Sequence, residues 1–199
     1  MRTILATLCG LLLSGAALAA DLPAPPSPMV DPHAGPFNPK GPAVDRFALG
    51  AFQHGFGKDK LQVIAKSLGV GSVRELGGAY YQYLCYDLPE RRERVWLATF
   101  DEMGEGGVDA VTVKSLTSGD APAGTCPALP AKFQPVVISG KVRLGVTRAD
   151  LVALYGKPGL ETGGWLVFGG GGEGWRTSIT VRLQNDKVVF LYAENTSTD

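Results

Sequence analysis

The sequence predicts an α+β fold: two tandem helix–β–β–β repeats forming a continuous antiparallel sheet with the helices on one face. Three observations carry this reading. Two short amphipathic stretches, beginning near Leu61 and Leu151, lie ninety residues apart and each ends at a glycine. Each is followed by runs rich in β-branched and aromatic residues. One of those runs alternates strictly, with Thr177, Ile179, Val181 and Leu183 on one side and Ser178, Thr180, Arg182 and Gln184 on the other, the pattern of a half-buried antiparallel strand.

In the first repeat, Leu61, Ile64, Ala65 and Leu68 recur at helical spacing, and Gly69 stands where the helix stops. Strands are expected over 79–87, 95–100 and 108–116. In the second, Thr147 is placed to cap a helix over 147–155 through its hydroxyl, with Asp150 as the reciprocal acid of a capping box. Gly156 fits the position after the helix, and Pro158 blocks continuation. Strands follow over 165–168, 176–183 and 187–193, the last two joined by a tight turn at Asn185-Asp186. Residues 118–139, with Pro122, Pro127, Pro130, Pro135 and Cys126, read as the linker between repeat 1 (43–117) and repeat 2 (140–195).

Ahead of the folded part, residues 1–20 have the three parts of a secretory signal peptide. Arg2 supplies the charge, an apolar stretch runs from Ile4 to Leu18, and Ala17-Leu18-Ala19 forms a small-residue cleavage site. Residues 21–42 contain eight of the fourteen prolines. Proline lacks an N–H and biases its predecessor away from helix, so this segment reads as an extended, disordered tether. A periplasmic or secreted chain with no transmembrane segment in its mature form is expected.

Charge excludes little but is informative in what it lacks. The chain carries 19 basic and 19 acidic residues, which gives no nucleic-acid footprint and no polybasic membrane patch. Arg91-Arg92-Glu93-Arg94, the densest basic cluster, reads as a solvated turn. After signal removal two cysteines remain, Cys85 and Cys126. In an oxidising compartment the pair reads as a disulfide, with a two-cysteine metal site as the alternative. Closing a loop of some forty residues stabilises by about 4 kcal/mol on the chain-entropy argument.

Catalytic chemistry needs a nucleophile with a base, paired carboxylates or a metal site, and the sequence supplies none of these in a recognised pattern. His33 falls in the tether, and His54 reads as a surface or capping group near a helix start. The acidic run Asp101, Glu102 and Glu105 lacks calcium-loop spacing and reads as a charged turn. The run Gly169 to Gly174 precedes a strand rather than a helix, so it reads as a hairpin tip and not a phosphate loop. No cofactor and no metal site are expected. Aromatic side chains remain. Tyr80, Tyr81, Tyr83 and Tyr86 alternate along one strand and cannot all face one core, while Trp96, Trp165 and Trp175 lie on or beside others. Rigid rings with a polar tip anchor protein interfaces, so Tyr81, Tyr83, Trp165 and Trp175 are the candidate partner-binding residues, on a sheet face rimmed by the glycine loop.

The run Val142-Arg143-Leu144-Gly145-Val146-Thr147-Arg148-Ala149-Asp150-Leu151, then Tyr155-Gly156-Lys157-Pro158, a tryptophan-bearing strand and a last strand after Asp186-Lys187, resembles the SmpA/OmlA-type domain. The resemblance covers about 140–193 and is architectural over 50–117. The tandem arrangement is similar to that of the β-lactamase inhibitory proteins. It implies a non-catalytic module that binds another extracytoplasmic protein, as an inhibitor of an enzyme or, alternatively, as an envelope-assembly or scaffold factor. The chain lacks the lipid-bearing cysteine that the assembly lipoproteins carry after the signal. A small enzyme with an unfamiliar site is the third reading. Intact-mass measurement of the exported protein should show a chain starting at Ala20 or Asp21; retention of residues 1–19 would overturn the signal-peptide reading.

Overall fold

The computed structural model describes residues 22–35, 43–77, 80–100, 106–122, 124–172 and 175–197, with the backbone alone for Trp175 and Ser197. In chain order the elements are β1 (Arg46–Leu49), β2 (Phe52–Gly55), α1 (Leu61–Leu68), β3 (Arg74–Glu75), β4 (Gln82–Leu88), β5 (Glu93–Thr99) and β6 (Ala110–Ser115). They continue with β7 (Val136–Ile138), α2 (Arg148–Tyr155), β8 (Leu160–Thr162), β9 (Trp165–Gly172), β10 (Trp175–Gln184) and β11 (Lys187–Ser197). The fold is mixed α+β, with two helices and two antiparallel sheets. The large sheet has the order β3-β4-β5-β6-β11-β10-β9-β8, and the small one β2-β1-β7.

Local chemistry sets the boundaries. Thr147 caps α2: its Oγ1 accepts from the Asp150 N–H at 3.2 Å, and the Asp150 carboxylate accepts from the Thr147 N–H at 2.9 Å. Gly69 ends α1 in the left-handed conformation (φ 72°), where its N–H reaches the Ala65 carbonyl at 3.0 Å. Asn185 and Asp186 both have positive φ, as a two-residue hairpin turn between β10 and β11 requires.

Helices and small sheet share one side of the large sheet. Leu61, Ile64 and Leu68 of α1, Leu151 of α2, and Phe47, Leu49 and Ile138 of the small sheet join one core. The large sheet contributes Leu84, Tyr86, Leu97, Val111, Phe168, Ile179 and Leu191 to it. This inner face takes every second residue of each strand.

Four expectations are corrected. Residues 43–60 contain the hairpin β1–β2, and the linker supplies β7, so a second sheet exists that alternation over such short runs does not announce. Each helix is followed by four strands of the large sheet, because the two- and three-residue edge strands β3 and β8 precede the expected ones. Gly169 to Gly172 are strand, paired with Ser178 to Trp175, rather than hairpin tip; Glu173 and Gly174 lie outside the described residues. Arg94 is not part of a solvated turn: it is 1% exposed in β5.

Arg94 is buried because the linker folds over it. Its guanidinium holds the carboxylate of Asp87 (0% exposed) through two bonds of 2.5 and 3.1 Å and donates to the Pro122 carbonyl at 2.9 Å. Asp87 also accepts the N–H groups of Gly124 and Cys126, at 2.5 and 3.3 Å. Its own backbone pairs with the linker, receiving the Leu129 N–H at 2.7 Å and donating to Pro127 at 3.0 Å. The part of β4 that short β3 leaves uncovered is closed in this way, which blunts a sheet edge. The Cys85–Cys126 disulfide, with Cα atoms 5.6 Å apart, fastens the same segment. Arg94→Met should destabilise the oxidised protein by about 3–5 kcal/mol, because it strands a buried carboxylate; a denaturant titration showing less than about 1 kcal/mol would refute the buried pair.

Candidate functional site

The face of the large sheet turned away from the helices carries three of the candidate residues, Tyr81, Tyr83 and Trp165, and cross-strand register arranges its residues in rows. One row runs Tyr83–Ala98–Ala110–Glu194–Ser178–Gly169. The next runs Cys85–Trp96–Thr112–Tyr192–Thr180–Val167, and a third Asp87–Arg94–Lys114–Phe190–Arg182–Trp165. Directly opposed side chains on antiparallel strands touch, so these rows are contiguous surface.

At the β4–β5 end, Tyr83, Cys85, Trp96, Ala98, Ala110 and Cys126 form a second buried cluster, with Tyr81, Phe100, Tyr192 and Leu22 packed against it. The Tyr81 and Phe100 rings lie 5.1 Å apart. Burial, and then the neighbouring Tyr83, raise the Tyr81 phenol above its ordinary range. At the other end, Trp165 packs edge-on against Phe190 at 5.2 Å, with the Arg182 guanidinium 5.9 Å from its ring. The structure thus brings Tyr81 and Tyr83 together and sets Trp165 apart from them on the same face. Tyr83 and Trp165 are only 4% and 7% exposed; the side chain of Trp175 lies outside the described residues.

Their burial has a cause that the strands do not supply. Residues 22–35, read from sequence as a tether, have no helix or strand, yet they lie on this face. The Tyr83 hydroxyl donates to the Leu22 carbonyl at 3.0 Å, and the Trp96 indole N–H donates to the Pro23 carbonyl at 2.8 Å. Pro26, Ser27 and Met29 face Trp165, Phe190, Arg182 and Lys114 across a cleft of about 600 Å³. Farther along, His33 Nε2 sits 3.1 Å from Oε1 of Glu194. At Gly35 (φ +106°) a Cβ would stand 2.7 Å from the Gly159 backbone, so only glycine passes there. The segment therefore crosses the sheet from β4 to the strand beside β8.

Two buried carboxylates organise the polar chemistry of the face. Asp87 neutralises Arg94, as described. Glu194, 4% exposed, accepts the hydroxyls of Ser178 at 3.0 Å and Tyr192 at 2.7 Å besides meeting His33. Burial, and then the charge of Glu194, push the Tyr192 phenol far above its ordinary range, so it stays a donor. Lys114, directly opposite Arg94, would be a like-charge neighbour, and it has a partner of its own in Asp120. The Thr180 hydroxyl, in the middle row, is buried without a hydrogen-bond partner.

Among the described residues, no second constellation competes with this face. His54 lies in β2, stacked on Phe47 at 5.3 Å, with Nδ1 3.6 Å from Asp59. Burial lowers its pKa against the opposing pull of Asp59. The acidic run at 101–105 lies outside the described residues. Among the described residues, no three His, Cys, Asp or Glu side chains are grouped to hold a metal, and no helix is long and apolar enough to cross a membrane. Searches of protein-family models, curated proteins and solved structures find no match to this chain.

Sequence reasoning named Trp96 without placing it in the site and set His33 aside. The signal for Trp96 was its parity with Arg94 against Val95 and Leu97. For His33 there was none, since its partner lies 161 positions away at Glu194.

The Lys114–Asp120 pair gives a pH prediction. Burial opposes ionisation of Asp120, but Lys114 and both the N–H and hydroxyl of Thr117 outweigh it and hold the carboxyl at about 2, below its ordinary 3.8. A carboxyl depressed in the folded state stabilises above its unfolded pKa, and that contribution fades as pH falls through the folded value. The denaturant midpoint should therefore drop between about pH 4 and pH 2, and Asp120→Asn should remove part of that drop. An unchanged profile in the variant would refute the assignment.

Proposed function

We propose that this protein is an exported, non-catalytic binding module whose docking surface is the sheet face opposite the helices. It acts by occupying a partner protein, in the simplest case blocking an extracytoplasmic enzyme. The observation that carries this reading is that the face already engages a polypeptide: Tyr83 and Trp96 donate to the carbonyls of Leu22 and Pro23. A surface of rigid aromatic rings and well-placed donors is the chemistry of protein interfaces. The apolar stretch at 4–18, the small-residue site after it and the Cys85–Cys126 disulfide support export to an oxidising compartment.

The chain order supports a tandem origin as part of the same proposal. In it, α1 with β3–β6 is one unit and α2 with β8–β11 the other, joined where β6 pairs antiparallel with β11. The SmpA/OmlA-like run around the Thr147 capping box belongs to the second unit, and it is the feature that favours the scaffold reading.

A crosslinked pull-down of the tagged exported protein from its own envelope and culture supernatant tests the proposal. One stoichiometric soluble enzyme supports inhibition, and outer-membrane assembly components support the scaffold reading. Arg182→Glu, on the docking face, should cut capture at least about tenfold, whereas Val63→Asp, exposed on α1, should leave it unchanged. Equal loss in both variants, or an empty pull-down, would overturn the docking face.

A further inference from the structure

Resting on that reading of the face, we propose that what it recognises is an extended, proline-rich polypeptide, and that residues 22–35 are a built-in occupant which a partner's proline-rich segment displaces. The argument begins with what such a chain offers. Proline has no N–H, so a proline-rich segment carries carbonyls that nothing within it satisfies, and it is already extended before binding. A surface that reads it must supply donors and flat apolar platforms rather than a strand edge.

The outer face supplies both. Tyr83 and Trp96, on neighbouring strands, donate to the carbonyls of two successive residues, Leu22 and Pro23. An indole N–H can only donate, and under the cover of residues 22–35 the Pro23 carbonyl is the acceptor that Trp96 finds. Among the described residues, no backbone–backbone hydrogen bond ties 22–35 to any strand. The occupant is held by side chains acting on its carbonyls, and its removal unzips no part of the sheet.

The built-in segment also fits imperfectly. Met29 is 80% exposed and leaves the cleft beside Trp165 and Phe190 unfilled. Besides the two hydrogen bonds to its carbonyls, it has two side-chain anchors, Leu22, packed on the aromatic cluster, and His33 on Glu194. A tethered occupant competes at an effective concentration on the order of millimolar, which a better-fitting segment that fills the cleft can exceed.

The test uses the exported chain from Asp21 to Asp199 and, as probe, a fluorescent synthetic peptide of residues 21–35. Its control is the same peptide with every proline replaced by alanine. In the double variant Leu22→Gly, His33→Ala, which loosens both anchors without shortening the chain, the peptide should bind saturably and at least about tenfold tighter than to the unchanged protein. The alanine peptide should bind about tenfold more weakly. Adding Trp96→Phe should lose most of the binding; Tyr83→Phe, which removes one hydroxyl and keeps the ring, serves in its place if that variant does not fold. No saturable binding to the double variant, or equal binding of the two peptides, overturns the inference. Partner capture that Arg182→Glu abolishes but the peptide cannot compete would do the same while leaving the docking face intact.

Discussion

Asp87 and Arg94 are both out of water, and neither could stay there alone. Stripping a carboxylate or a guanidinium of its hydration costs several kcal/mol per ion. The cost is offset only where every lone pair and every N–H finds a partner. Here the partners come from the linker: the Gly124 and Cys126 N–H groups for Asp87, and the Pro122 carbonyl for Arg94. The pair therefore does more than hold β4 to β5. It fixes the course of the linker over the outer face, brings Cys126 over Cys85, and closes the exposed half of the β4 edge.

That placement divides the outer face. An eight-stranded sheet has two sides to cover, and the helices and small sheet cover one. On the other, the linker takes the end near β4, and residues 22–35 cross what remains. The two coverings differ in kind. The linker is fixed by a buried ion pair, backbone pairing and a disulfide, so it belongs to the folded unit. The N-terminal segment is held by two hydrogen bonds from side chains, the packing of Leu22 and one contact between His33 and Glu194. Segments held mainly by a few side-chain contacts open at lower free energy than those in a ladder, which is the property a displaceable cover needs.

How much of this could be read from the chain follows from how local each signal is. The capping box at Thr147 and Asp150, the stop at Gly69 and the turn at Asn185-Asp186 are contained within a few residues, and all three take the form their chemistry dictates. The long strands were legible from their β-branched and aromatic composition, and β10 also from its alternation. The edge strands β3 and β8 and the small sheet were not, because runs of two to four residues carry too few alternations to register. Arg94 marks the clearest limit. Its neighbours Arg91 and Arg92 do form the turn, and nothing nearby distinguishes the third arginine. What buries it is a carboxylate seven positions back and a carbonyl 28 positions ahead. The aromatic face was visible as a surplus of rings that one core could not absorb, but its occupant was not. Eight prolines in a row of 22 residues signal an extended chain, and extension says nothing about where that chain lies.

The same composition that conceals the location explains the mode of contact. A segment without regular N–H groups cannot add a strand to a sheet edge, since edge pairing needs alternate donors and acceptors along the backbone. It can lie across a face, provided the face offers donors to its carbonyls. This one places a phenol and an indole where two successive carbonyls pass, and it shields their donors within an aromatic cluster. A shielded donor with a partner contributes modestly, and one left without a partner costs about 1–3 kcal/mol. While residues 22–35 cover the rings, the carbonyls of Leu22 and Pro23 are those partners, so the donors of the face and the composition of the segment that covers it are matched to one another.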